Sequence, residues 1–295
     1  MDVEMKIQEP INKVTRKQKL KNYSKHPGSF LLALLTKLAI LLTVLALGFI
    51  LIYILVKGIP NLSTDLFALK YTTENVSMLP AIINTLMITL LSLCIAGPIG
   101  IFSAIYLVEY AKKGNKLVGV VRVTAETLTG IPSIVYGLFG MLFFVTTVKC
   151  GYSLLAGALT LSIMVLPVIM RTTEEALLAV PNSFREGSFG LGAGKLRTIF
   201  KIVLPSAVPG ILAGVILAIG RIVGETAALI YTAGTVAEIP SSIMSSGRTL
   251  AIHMYSLSKE GLYTDQAYAT AVVLLIVVVL INMLSNFVAK KFTKK

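Results

Sequence analysis

The sequence predicts an all-α integral membrane protein with six transmembrane helices, and three observations predict it. Hydrophobic residues make up 55% of the 295-residue chain and charged residues only 14%, where a soluble domain carries about a quarter charged residues. Apolar stretches of about 20 residues, the length a bilayer-spanning helix needs, recur along the chain. The lysines and arginines gather on alternate sides of those stretches. This composition excludes a disordered chain and leaves too little polar surface for a large soluble domain. No segment alternates long enough for an outer-membrane barrel strand.

The spans are expected at 30–56, 79–107, 123–148, 153–170, 207–230 and 267–288. The first holds Lys37 as its one charge, is too long for a signal peptide and lacks a small-residue cleavage site, so it stays as a helix. It follows a basic tail, 1–29. The second contains Gly97-Pro98, and the third carries Glu126 near one end. Arg221 and Glu225 fall in the fifth. With six spans both termini share a side. That side collects seven cationic residues in the tail, four after the second span, five after the fourth and four at the end, twenty in all. The other side has five: Lys57, Lys70, Lys149, Arg248 and Lys259. The positive-inside rule therefore predicts cytoplasmic termini, and it reads the net charge of +13 as a membrane-topology signal, not a nucleic-acid signal.

The chain shows no internal repeat of the kind secondary transporters carry. Its long cytoplasmic loop is 171–204, and the outer loops are 58–78 and 231–268. In the cytoplasmic loop, Pro181-Asn182-Ser183 with Glu186 predicts a capped helix start. Gly190, Gly192 and Gly194 end that helix early. A second short helix is expected from 195 to 203, with Pro205 closing it before span five. Two short helices with a glycine bend make a protrusion at the membrane surface, either gripped by a partner or merely an interfacial connector. Gly194-Lys195 is no phosphate-cradling loop, because Phe189 and Leu196 stand where that loop needs glycine and a hydroxyl.

Other features exclude chemistry. Two cysteines build neither a disulfide scaffold nor a four-ligand zinc site. Cys94 is expected to be a small buried hydrophobe in mid-span, unbridged to the outer Cys150, and His253 a surface residue of the outer loop. No Ser/His/Asp or metal-ligand cluster shares one membrane depth, which weighs against an enzyme. A charge at bilayer depth costs at least about 2.5–3.5 kcal/mol and so faces a cavity or a partner. Arg221 lies about 21 Å along its helix from the start of the span. Glu225, four residues on, is expected on the same face. The two form either a purely structural pair or an anion site, since a planar guanidinium fork suits phosphate or sulfate.

Several stretches resemble the permeases of ABC importers. Their docking signature, E-A-A, three residues, Gly, nine residues, I-x-L-P, is matched in spacing by Glu186-Gly187-Ser188, Gly192 and Ile202-Val203-Leu204-Pro205, with Gly-Ser replacing two alanines. Gly220-Arg221-Ile222-Val223-Gly224-Glu225-Thr226-Ala227 resembles the R-x-x-G-E-T-A stretch of the phosphate importer permeases. The run from Gly130 to Gly140, GIPSIVYGLFG, is similar to their third-span motif, and Tyr106–Tyr110 and Arg171–Leu177 to others. Thr226-Ala227-Ala228-Leu229 and Tyr231-Thr232-Ala233-Gly234 look more like the PstA type than the PstC type, although the PstA pattern usually has proline at Ala228.

The resemblance covers 78–290 and implies a type I ABC importer permease fold. It implies a substrate path that includes Arg221, Glu225, Thr226, Ser133 and Tyr136. It also implies ATPase coupling through Glu186, Gly187, Ser188, Gly192, Ile202, Leu204 and Pro205. The implied partners are a second permease of PstC type, two ATPase subunits of PstB type and an extracytoplasmic phosphate-binding protein of PstS type, in a lipid bilayer of the prokaryotic cytoplasmic membrane. No cofactor, metal or nucleic acid is implied for this chain. The alternatives are another oxyanion permease, for sulfate or molybdate, and an ATP-independent ion-coupled transporter.

Overall fold

The computed structural model describes residues 27–112 and 114–293; the expected basic tail 1–29 lies almost wholly outside them. The chain divides into two units, 1–54 and 55–295. Helix α1 (Pro27–Gly58) accounts for the described part of the first. Its leucines and valines, and its isoleucines other than the half-buried Ile54, are exposed around the helix, as a lipid-facing surface requires.

The second unit holds α2 (Leu79–Ile105), α3 (Lys116–Thr129), α4 (Ser133–Gly140), α5 (Leu154–Leu178), α6 (Asn182–Gly190), α7 (Lys195–Thr198), α8 (Leu204–Val223), α9 (Ala227–Ile230), α10 (Leu250–Glu260) and α11 (Thr264–Thr293). Widened π-helical turns extend α2 at Tyr106–Tyr110, follow α4 at Met141–Thr147 and join α7 to α8 at Ile199–Val203. Among the described residues five helices are long and apolar enough to cross a membrane, and the bent pair of α3 with α4 and its π-turn brings the count to six where it is taken as one span.

α5 is the central strut. It runs alongside α2 in the same direction, with Ser162 Oγ donating to the Ser92 carbonyl at 3.1 Å and Gly100 packed against Ile169. α8 returns antiparallel to it, with Gly210 against Ala176 and Gly214 against Thr172. Small residues at these crossings let backbones approach, which is how apolar helices gain packing where no water drives them together. Hydroxyls along α2 and α5 satisfy themselves on the carbonyl four residues back, as Thr85, Thr89 and Thr160 do.

Three sequence expectations need correction here. The third span is not one helix: α3 and α4 meet at 104° across Gly130-Ile131-Pro132. Pro132 has no N–H for the Leu128 carbonyl and disfavours helix in Ile131 before it. That carbonyl instead receives the Tyr136 hydroxyl at 2.7 Å, which stabilises the bend. Pro205, conversely, breaks nothing. Helix continues from Lys195 to Val223, because the preceding π-turn reroutes the carbonyl that proline cannot satisfy. Cys94 is exposed and not buried, and both cysteines are free thiols.

Candidate functional site

Three places carry the chemistry. The first is the break after α8. Gly224 ends the helix, and Glu225 closes it with an N–H bond to the Ile222 carbonyl at 3.1 Å. The chain then turns through Thr226 into α9. The Glu225 carboxylate is buried and accepts from the Ala228 N–H at 3.0 Å, serving as the cap of that short helix. It makes no ion pair with Arg221, so the expectation that both charges share one helical face fails. The helix ends between them, and the nearer N–H captures the carboxylate.

Arg221 is half-buried in the last turn of α8, where the C-terminal dipole favours a cation. No carboxylate among the described residues pairs with it. Tyr136 lies within its electrostatic reach. Gly137 brings α4 so close to α9 that an added Cβ would sit 2.8 Å from the Ala228 Cα. Arg221, Glu225, Thr226 and Tyr136 are thus brought to one region. Tyr136 is buried, with its hydroxyl committed to the bend. Ser133 stands half-buried in the first turn of α4.

The second place is a charged vestibule between α3 and α5. Arg122 pairs with Glu174, and Arg171 bonds Glu175 at 3.1 Å and lies 3.9 Å from Glu126. These groups line a cavity of about 280 Å³ with Thr129 and Pro167. The pairing of Arg122 with Glu174 is 52 residues long in sequence and carries no local signal.

The third is the protrusion of α6 and α7. α6 begins at Asn182 behind Pro181, two residues earlier than a Ser183 cap would place it, and the capping box with Glu186 does not form. Its end is a Schellman motif: Ala193 N–H bonds the Ser188 carbonyl at 3.1 Å and Gly192 N–H that of Phe189 at 2.9 Å. Gly192 sits at φ +80°, a conformation that only glycine adopts freely. Ser188 is buried, hydrogen-bonded to the Thr198 hydroxyl at 2.8 Å, and latches α6 to α7. Glu186 and Gly187 are exposed, and Phe184, Phe189, Leu191 and Leu196 present apolar surface, Leu191 at 91% exposure. Ile202 and Leu204 are half-buried and Pro205 is exposed at the base.

Arg185 bolts the protrusion to the bundle. It bonds Glu109, in the π-turn after α2, at 2.7 Å, and donates to the Leu177 and Val180 carbonyls at 2.9 and 2.8 Å. It thereby covers the open C-terminal end of α5. Lys195 lies over the Tyr110 ring at 4.7 Å. Sequence reasoning counted Arg185 only as a cationic loop residue; its separation of 76 residues from Glu109 hid the pair.

At the opposite end of the bundle His253 is fully buried on α10, not at the surface. Burial first, and the nearby Arg248 charge second, hold its imidazole at about pKa 3. Neither ring nitrogen has a hydrogen-bond partner in good geometry, although the Val76 backbone lies close enough to favour the protonated form slightly. Among the described residues no group of His, Cys, Asp or Glu is placed to hold a metal.

Comparison with known proteins bears on this geometry. Residues 96–295 match the family described as binding-protein-dependent transport system inner membrane component. The chain is 38% identical over 270 residues to the phosphate transport system permease protein PstA of Pasteurella multocida, covering 87% of this chain and 92% of that one. It is 32% identical to the probable ABC transporter permease protein YqgI of Bacillus subtilis, covering 82% and 88%. A subunit of a bacterial alginate ABC transporter superposes with a TM-score of 0.67 at 17% identity, over 92% of this chain and 98% of that one. A subunit of the inward-facing MetNI methionine ABC transporter superposes at 0.56 and 22%, over 73% and 94%. The fold is that of the type I ABC importer permeases.

Proposed function

The chain belongs to the binding-protein-dependent transport system inner membrane component family, and from that premise we propose that it is the permease subunit carrying inorganic phosphate in an ATP-driven importer. The observation that carries the substrate is Arg221. Among the described residues this guanidinium has no carboxylate partner, whereas Arg122, Arg171 and Arg185 are all paired. An unneutralised cation in low dielectric attracts a doubly charged anion far more than it would in water. Its planar fork fits the oxygens of a tetrahedral anion. The relatives named as phosphate permeases support the same choice.

Under this reading a second, similar permease completes the path, with its own residues facing Arg221. An extracytoplasmic binding protein delivers phosphate. Two ATPase subunits receive the exposed face of α6, with Phe184, Phe189 and Leu191 as anchors beside Glu186. Hydrolysis occurs in those subunits, and this chain contributes neither cofactor nor catalytic group. Its termini and the 171–204 loop face the cytoplasm, by the distribution of cationic residues.

The test is phosphate uptake in cells whose chromosomal copy carries Arg221→Gln or Arg221→Lys. Gln is expected to abolish uptake and Lys to retain a fraction, with membrane insertion and co-purification of the other subunits unchanged. Full uptake by Arg221→Gln overturns the path assignment. Uptake that sulfate or molybdate competes out as well as phosphate overturns the substrate.

A further inference from the structure

We propose that a pocket around Arg248, at the far end of the bundle from the α6–α7 protrusion, binds a small oxyanion of the phosphoryl type. The inference stands on its own observations and is independent of the role given to Arg221. Arg248 is 6% exposed, yet its Nε and Nη2 have no hydrogen-bond partner. It lines a cavity of about 260 Å³ with Lys259, Ser256, Tyr255 and Thr235. Glu260 also lines the cavity but makes no ion pair with Arg248.

The arginine is held in position. Its N–H donates to the Val236 carbonyl at 2.8 Å, and its own carbonyl accepts from the buried Asn84 amide at 3.2 Å. The Tyr71 ring covers the guanidinium at 4.6 Å. Tyr71 is set in turn by a loop in which the Asn75 side chain receives the Thr72 and Ser77 N–H groups and donates to the Lys70 carbonyl. Stacking on an aromatic face stabilises the charge but supplies no acceptor for its N–H groups. Each buried donor left unmet costs about 1–3 kcal/mol, more when charged. A fixed guanidinium with unmet donors, a second cation and three hydroxyls around one small cavity is a built receptor for oxygen atoms carrying negative charge. Its position at the end opposite the protrusion makes it a first contact for an anion on the outer side, ahead of Arg221. Free inorganic phosphate and an anionic lipid headgroup share this chemistry.

The experiment uses the full chain in nanodiscs of zwitterionic lipid, with thermal unfolding and binding of radiolabelled inorganic phosphate as readouts. Phosphate is expected to raise the unfolding temperature of the wild type and of Arg221→Gln. In Arg248→Gln the affinity is expected to fall by about tenfold or more, as loss of a charged hydrogen-bond donor implies. Lys259→Ala, at an exposed position that folding does not need, is expected to weaken binding roughly two- to fivefold. It should leave the unfolding temperature without phosphate unchanged. If phosphate has no effect but phosphatidylglycerol stabilises the wild type and not Arg248→Gln, the site stands and its ligand is the lipid headgroup. The proposal is overturned if neither ligand distinguishes Arg248→Gln and Lys259→Ala from wild type, or if Arg221→Gln alone removes the phosphate response.

Discussion

At the scale of single residues, burial decides which charges are free to act. Glu225 and Arg221 are four apart, and a continuous helix would pair them. The chain leaves the helix at Gly224, so the carboxylate caps α9 and the guanidinium stays open. The pair was legible as two functional candidates but not as two separate jobs, because a helix end inside an apolar span has no periodicity to mark it. His253 was misplaced for a related reason: a histidine in a loop reads as solvated until Tyr71, Val76 and Arg248 are seen around it. Its burial has a measurable consequence. The folded state holds the imidazole at about pKa 3, and the unfolded state at about 6.5. Between those values the unfolded chain binds the extra proton, so stability falls as pH drops below 6.5 and is unaffected above it. At pH 5 the loss is about 2 kcal/mol. Thermal unfolding in nanodiscs at pH 7.5 and pH 5 should show the wild type losing more stability than His253→Gln, which cannot titrate. Equal losses in both would place the histidine in contact with water.

At the scale of elements, the protrusion shows what a linear motif contains and what it omits. The spacing from Glu186 to Gly192 to Pro205 located the two short helices, and the φ of +80° explains why position 192 is glycine. The motif omits the attachment. Arg185 joins α6 to the end of α2 through Glu109 and covers the carbonyls at the end of α5. Its partners are scattered over the chain, so no local pattern reports them. Breaking a buried ion pair from one side leaves an unpaired charge and costs about 3–5 kcal/mol. Glu109→Gln should therefore loosen the protrusion while leaving its exposed docking face intact. We expect the ATPase subunits to co-purify normally, while transport per ATP hydrolysed falls severalfold. Loss of co-purification together with transport would show that Glu109 builds the docking surface and does not transmit through it. The α3–α4 bend was half legible. A proline inside an apolar span disfavours helix before it, but a turn of 104° goes with Gly137 and Gly140 packing closely against α9 and α5.

At the scale of the whole molecule, hydropathy and charge placed six membrane crossings, and the order of the long helices agrees with them. α2 and α5 run the same way, and α8 runs back. Hydropathy could not show that the third apolar stretch is a bent pair, because a broken apolar helix and a straight one have the same composition. Orientation is a separate matter, carried only by the twenty-to-five division of cationic residues. The helix order makes it testable at two exposed positions on opposite ends of one bundle. Leu191, at the tip of the protrusion, is 91% exposed, and Leu262, between α10 and α11, is 82% exposed. In a background with Cys94→Ser and Cys150→Ser, a membrane-impermeant maleimide added to intact cells should label Leu262→Cys and not Leu191→Cys. After permeabilisation both should react. Neither position carries a packed side chain, so each substitution leaves the bundle undisturbed. Labelling of Leu191→Cys from outside would invert the molecule. The exposed apolar face of α6 would then point away from any cytoplasmic ATPase, and the proposed coupling would fail with the topology. Labelling of both from outside would require an even number of crossings between them. α11 lies beyond Leu262, so the extra crossing would have to come from within 192–261. The only long apolar helix there is α8 with its leading turn, and α9 and α10 are too short to span a bilayer.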